Sequence, residues 1–121
     1  MNAQDRKLLI KIIQYIDEIA LTVNERAVTL ETLFSDVTSK NAISMCIIQI
    51  GELVTHLSDD FKETHTEIIW KEIKAMRNVA AHHYGEFNMK TLWETVTDDM
   101  PVLKSFCTQQ LSEITQQKDA I

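Results

Sequence analysis

Residues 42–57 read AISMCIIQIGELVTHL and carry a clear helical pattern. Apolar side chains recur there every three or four residues, a spacing that places them on one face of an α-helix. The segment predicts a long core helix, with Ser39 as its N-cap. The core positions predicted for it are Ala42, Ile43, Cys46, Ile47, Ile50, Leu53, Val54 and Leu57.

The same spacing predicts helices on both sides of this segment. One runs from about Asp5 to Val23, and a short one lies around Leu30 to Phe34. A later helix begins at Thr66 or a neighbour, and a final pair covers about Met89 to Thr97 and Pro101 to Gln117. The buried stripe predicted for the helix that begins near Thr66 is Ile69, Trp70, Ile73, Met76 and Ala80.

Turn-forming residues are scarce in this chain. It has only two glycines and one proline, whereas β-rich domains usually need more, so the predicted fold class is all-α. Gly85 is well placed to end the helix that begins near Thr66 in a left-handed conformation. Pro101 suits the first turn of the last helix, which Asp98 or Asp99 can cap.

Composition limits the classes of function that remain. The 121 residues are 45% apolar and 25% charged, which is typical of one soluble globular domain, residues 1–121. Eighteen acidic and twelve basic side chains give a net charge of −6. This balance argues against a broad basic surface that grips duplex nucleic acid, so any nucleic acid must be handled locally.

The cysteines and the N-terminal segment indicate a cytoplasmic protein. Cys46 and Cys107 lie in apolar helical contexts without a second thiol nearby in sequence, as expected for reduced, buried side chains. The N-terminal stretch contains acidic residues and lacks a small-residue cleavage site, which argues against a signal peptide. No apolar run is long enough to predict a membrane span.

Residues 77–84 read RNVAAHHY and bring a cation, an amide, imidazoles and a phenol together in one short segment, which no other part of the sequence does. On a helix, Arg77, Asn78, Ala81, His82 and Tyr84 share one broad face. His82 can transfer a proton near neutral pH, and Arg77 can hold a phosphate through paired hydrogen bonds. Internal RNA cleavage requires proton transfer and stabilisation of an anionic phosphorane, and it needs neither a metal ion nor another cofactor.

The chain resembles the HepT-like branch of the HEPN superfamily. The similarity rests on the pattern of Arg77, a four-residue gap, His82, a one-residue gap and Tyr84, together with other residues in matching order. These are Ile50-Gly51-Glu52, Trp70, Asn78, Trp93, Pro101 and Leu103. Two positions depart from the family pattern: His83 stands where many relatives have aspartate, and Ile69 where proline often precedes the tryptophan.

The resemblance implies a fold, an activity and partners. The implied fold is an antiparallel bundle of four to five main helices. The implied activity is metal-independent RNA cleavage by a toxin that acts as a homodimer, with the Arg77 and His82 motifs of both copies lining a cleft. Asn78 and Tyr84 are supporting residues. The implied partner is a minimal nucleotidyltransferase antitoxin, which in some systems transfers adenylate to the motif tyrosine, here Tyr84.

Alternative interpretations stay open at this point. The protein is a toxin ribonuclease, a non-catalytic nucleotide-binding accessory subunit of a nucleotidyltransferase, or a structural helical dimer. Arg77 and His82 can also serve only to interact with the dipole at the helix C-terminus. Intact Arg77 and His82 favour the ribonuclease, because a binding module does not need a titratable group at that spacing.

Four further residues have two readings each. Trp70 and Trp93 are interpreted as core anchors rather than as platforms on which bases stack. Gly51 costs a helix about 1 kcal/mol relative to alanine, which indicates either close approach of another helix or a tolerated defect. Glu52 is either a solvated acid or a group that faces Arg77.

Overall fold

The computed structural model describes the backbone of residues 1–81 and 86–119, and side chains for 1–78, 80–81 and 89–113. The described residues contain helices and no strand, which confirms the all-α prediction. None of these helices is long and apolar enough to cross a membrane. The helices are α1 (Ala3–Glu25), α2 (Leu30–Ser35), α3 (Val37–Thr55), α4 (Asp59–Thr64), α5 (Trp70–Ala81), α6 (Glu86–Glu94) and α7 (Met100–Asp119), with a π-helical turn at Thr95–Asp99.

Polar contacts at both ends hold α1 and α3 antiparallel. At the start of α1, the buried Asp5 carboxylate accepts hydrogen bonds from the Ser58 backbone N–H (2.8 Å) and hydroxyl (2.5 Å), just beyond the end of α3. At the other end, Arg26 donates to Asp36 (2.9 Å) and to Ser39 (2.7 Å) at the start of α3. The direction of α3 is therefore opposite to that of α1.

Helix α3 is the centre of the bundle, since it packs against both α1 and α5, and α1 also packs against α7. Most of the predicted core positions on α3 are buried, whereas Ala42 is exposed and was wrongly assigned to the core. The largest fully buried apolar side chains are Leu9, Ile12, Ile19, Leu33, Ile43, Ile47, Ile50, Val54, Leu92, Met100 and Leu103.

The predicted cap of α3 was wrong by three residues. Asp36 is the N-cap, and its carboxylate accepts the Ser39 backbone N–H at 3.1 Å. Ser39 lies inside the first turn, where its hydroxyl donates to Asp36 at 2.5 Å. Both residue types can cap a helix and both accept a hydrogen bond from Arg26, but only the carboxylate of Asp36 forms an ion pair with it. The capping choice is therefore made by a contact between helices.

Helix α5 begins at Trp70, later than the predicted start near Thr66. The short helix α4, which was not predicted, ends before this point, and the Trp70 indole N–H donates to the His65 carbonyl at 2.9 Å. Ile69 therefore precedes the helix and is 59% exposed, contrary to the prediction that it is buried. Ile73, Met76 and Ala80 are buried as predicted, and Trp70 is partly buried against the core.

The last two predicted helices are joined by a π-helical turn, Thr95–Asp99, instead of a break. Asp98 and Asp99 lie inside this turn, so the prediction that one of them caps α7 was wrong. The backbone N–H of Met100 donates to the Thr95 carbonyl, five residues earlier. Pro101 is the second residue of α7 and has no backbone N–H to donate. In a regular α-helix the proline ring would clash with the carbonyl four residues earlier, and the wider π turn before Pro101 relieves this clash.

Both cysteines are buried free thiols, as predicted. Burial raises the pKa of Cys107 to about 12. Burial, together with the hydrogen bond and the negative charge of Glu18, raises the pKa of Cys46 to about 12. Neither thiol forms a reactive thiolate near neutral pH.

Candidate functional site

Arg77 lies where α3 and α5 approach each other closely. A Cβ atom placed on Gly51 would be 2.9 Å from the Arg77 Cβ, a distance that real Cβ contacts do not reach. The Arg77 Cβ is fixed to the backbone of α5 and cannot rotate away. A glycine is therefore needed at position 51, and the expectation that it marks close helix approach is confirmed.

Glu52 faces Arg77 and forms an ion pair with it. The guanidinium Nη1 of Arg77 donates to Oε1 of Glu52, and the two side chains are 35% and 45% exposed. The structure thus settles the two readings of Glu52. A partly exposed pair contributes at most about 1 kcal/mol to stability, so its main effect is to fix the direction of the guanidinium.

The contacts of Arg77 with the described side chains leave some of its donors for a ligand. Arginine has five N–H donors in a planar fork, which matches the oxygens of a phosphate. Among the residues with described side chains, Glu52 is the acceptor that Arg77 bonds. The remaining N–H groups lie on a half-exposed side chain at the edge of α5.

The solvent-facing side of α5 carries basic residues and also small or neutral ones. Lys71, Lys74 and Asn78 are exposed there, and Ala81 is half-buried. Sequence reasoning selected Asn78 and Ala81 but missed the two lysines. The signal for them was their spacing, since Lys71 and Lys74 precede Arg77 at intervals of three residues.

The structure brings together only part of the predicted site. Arg77 and Asn78 are adjacent on α5, with Glu52 of α3 beside Arg77. His82 and Tyr84 lie outside the described residues, as do the neighbouring His83 and the predicted helix-ending Gly85. Their roles stay predictions.

The two tryptophans are core anchors, as predicted. The Trp70 ring lies 6.0 Å from Phe61 and 5.7 Å from Phe106, measured between ring centroids, in tilted and edge-on arrangements. Trp93 is partly buried against the core. Within the described part of the chain, no group of three or more histidine, cysteine, aspartate or glutamate side chains is arranged to hold a metal ion.

Comparison with known proteins identifies the family. Residues 9–110 match the profile of the family described as ribonuclease HepT-like. The chain belongs to the HepT-like ribonuclease family. This membership confirms the resemblance read from the motif and makes the protein an endoribonuclease.

Individual relatives agree with this assignment. The HepT-like chain is 32% identical over 95 residues to a probable ribonuclease HepT of Thermococcus cleftensis, covering 74% of this chain and 86% of that protein. It is 31% identical over 93 residues to a provisionally named RNase of Caldanaerobacter subterraneus subsp. tengcongensis, covering 77% of this chain and 80% of that one. No solved structure matches the chain significantly.

The contact between Gly51 and Arg77 predicts the effect of Gly51→Ala. Alanine gains about 1 kcal/mol of helix propensity, but the clash with Arg77 costs about 1–3 kcal/mol and moves α5 away from α3. We expect the free energy of unfolding, measured in urea, to fall by about 1 kcal/mol, and ribonuclease activity to fall as well. Met45→Ala, on the exposed side of α3, is the matched control and should change neither quantity appreciably. Equal or higher stability of Gly51→Ala would contradict the close approach of the two helices.

Proposed function

We propose that this HepT-like ribonuclease is a toxin that cleaves RNA internally, without a metal ion, through Arg77 and His82. In this reaction the 2′-oxygen of a ribose attacks the adjacent phosphorus, and His82 accepts the 2′-hydroxyl proton. The bond from phosphorus to the 5′-oxygen breaks, and that oxygen takes a proton from an imidazolium. The products are a 2′,3′-cyclic phosphate and a 5′-hydroxyl.

The observation that carries this proposal is the way Arg77 is held. Its Cβ rests against Gly51, and its guanidinium is directed by Glu52, yet the side chain stays partly exposed. A preorganised cation of this kind stabilises the charge that develops on the phosphorane at little cost in reorganisation. Asn78, exposed on the next residue of α5, is a second donor for the substrate.

The proposed site is composite and forms in a homodimer. One chain supplies one Arg77 and one His82, whereas the reaction needs both a proton acceptor and a proton donor. A two-fold axis between two copies of α5 would bring two such sets into one cleft. The His82 side chains of the two copies then act as base and acid.

Substitution at the two motif positions tests the catalytic assignment. Arg77→Ala and His82→Ala should each lower the cleavage rate by about 10²- to 10⁴-fold, because each removes a transition-state interaction. Cleavage by the unmodified protein should continue in EDTA and leave 2′,3′-cyclic phosphate ends. Arg6→Ala and His56→Ala, at exposed positions, are the controls and should retain activity. Full activity of a folded His82→Ala variant, or a strict requirement for magnesium, would refute the assignment.

The oligomeric state is a separate prediction. We expect sedimentation velocity at micromolar concentration to give the mass of two chains, since a single chain offers only half of the proposed site. Mixing wild-type chains with an excess of His82→Ala chains under conditions of subunit exchange should lower the activity per wild-type chain, because mixed dimers keep only one of the two His82 side chains that the reaction needs. A monomer that cleaves RNA at the full rate would exclude the composite site.

The proposed regulator is a minimal nucleotidyltransferase that acts as antitoxin and modifies Tyr84 with adenylate. The support is family membership and the position of Tyr84, which in a continued helix falls on the same side as Arg77. The added phosphodiester anion would pair with Arg77 and occupy the position that an RNA phosphate needs. Substrate binding would be prevented before any chemistry begins.

Tyr84→Phe tests this mode of control. The variant lacks the attachment oxygen but keeps the ring, so we expect it to cleave RNA and to resist neutralisation by the cognate nucleotidyltransferase with ATP. Intact-mass spectrometry should detect an adenylate adduct on the wild-type protein and none on the Tyr84→Phe variant. Tyr15→Phe, on the partly buried side of α1, is the matched control and should still be modified. Full neutralisation of Tyr84→Phe would mean that control runs by another route, such as occlusion by the partner.

A further inference from the structure

Three cations form an inclined row on α5. Lys71, Lys74 and Arg77 are separated by three residues each, and every such step turns by about 300° and rises by about 4.5 Å. The row thus extends about 9 Å along the helix axis and ends at Arg77. Both lysines are exposed, and neither has a carboxylate oxygen within 4.0 Å among the described side chains.

Helix α5 itself contributes no acidic residue to the side that carries this row, and Glu52 of α3 adjoins the row only at Arg77. Ala75 lies between Lys74 and Arg77 in sequence and is exposed, and Ala81 follows Arg77 by about one turn and is half-buried. Among the described side chains of α5, the surface next to the cations therefore carries small residues. Asn78 adds a neutral donor on the same side. A strand of nucleic acid can therefore approach the backbone of α5 closely.

The opposite edge of α5 is acidic. Glu72 lies there with Asp99 of the π-helical turn, and both line a small depression beside Ile69 and Val102. Burial and the negative charges of Asp98, Glu72 and Glu94 raise the pKa of Asp99, as expected where carboxylates cluster. The charge of α5 is thus divided between its two long edges, and a polyanion is repelled from one and attracted to the other.

We propose that Lys71 and Lys74 bind backbone phosphates of the RNA strand and lead it to Arg77. This inference rests on the proposed function, because it takes Arg77 as the place where the scissile phosphate is held. Along the axis of a stacked strand the rise is about 3.4 Å per nucleotide, so the row spans about two or three nucleotides on one side of the cut. Lysine contacts to phosphate carry no sequence information, so the row contributes affinity and position and leaves base selection to other groups.

The local row also accounts for RNA binding by an acidic protein. The chain has 18 acidic and 12 basic side chains, so its overall field repels RNA. Within a Debye length of about 8 Å, however, the nearest charges dominate at physiological salt. Lys71 and Lys74 are the nearest described cations on the open side of α5 that leads to Arg77.

The test compares two double variants, each of which replaces two exposed lysines, one pair on α5 and the other on α1. Lys71→Gln with Lys74→Gln removes the row, and Lys7→Gln with Lys11→Gln removes two exposed lysines from α1. Glutamine has a helix propensity close to that of lysine, so the fold should be kept in both. The probe is a fluorescein-labelled, single-stranded RNA of about 20 nucleotides, bound to full-length protein carrying His82→Ala so that it stays intact.

Counterion release sets the expected magnitude. Each phosphate contact on a single strand contributes about 0.7 to the slope of log K against log salt, so loss of two contacts should reduce the slope by about 1.4. At 0.15 M salt the same loss weakens binding about tenfold. The α1 pair should keep the slope and the affinity, and Lys71→Arg with Lys74→Arg should restore both. In the active protein, KM should rise more than kcat falls when the row is removed.

Two outcomes would overturn the inference: an unchanged slope on removal of the row, or an equal loss of affinity with the α1 pair. The first means that RNA does not contact Lys71 and Lys74, and the second means that only net charge matters. These outcomes are distinct from failure of the proposed function. If the wild-type protein binds RNA through the row but does not cleave it, the proposed cleavage mechanism is wrong and the proposed role of the row in binding is still supported. If Arg77 and His82 prove essential for cleavage but removal of Lys71 and Lys74 does not change RNA binding, only the proposed role of these two lysines is refuted.

Discussion

The close contact between Gly51 and Arg77 is the constraint on which the site depends. It sets the separation of α3 and α5, and α3 is also the helix that packs against α1 at the centre of the bundle. The position of the arginine is therefore tied to the hydrophobic core. Glu52 then selects one direction for a side chain that would otherwise sample many rotamers. In the proposed mechanism, this fixed guanidinium would stabilise the charge of the transition state without reorganisation.

An acidic ribonuclease must separate its charges in space, because its substrate is a polyanion. Helix α5 does so within twelve residues, with Lys71, Lys74 and Arg77 on one side and Glu72 at the opposite edge. Asp99 of the π-helical turn extends the acidic edge. Net charge is thus a poor guide to ligand preference when one helix can carry both signs.

Regular helices could be predicted from the sequence because apolar periodicity reports directly on burial. The stripe on α3 was largely correct, and so was the close approach at Gly51. The irregular positions could not be predicted in this way. Asp36 is the cap rather than Ser39 because its carboxylate accepts the Ser39 backbone N–H and also forms an ion pair with Arg26, just after α1. Helix α5 starts at Trp70, whose indole bonds the His65 carbonyl. The turn at Thr95–Asp99 has no periodic signal that separates it from an α-helix.

The sequence by itself determined the all-α fold, the family and the candidate catalytic pair, since these follow from local spacing and from residue identity. Only the tertiary structure decided which side chain meets Arg77 and which side of α5 stays open. Glu52 and Arg77 are 25 residues apart in the chain, and no local pattern determines their distance in space. That distance follows from how α3 and α5 pack, which depends on the absence of a Cβ atom at Gly51.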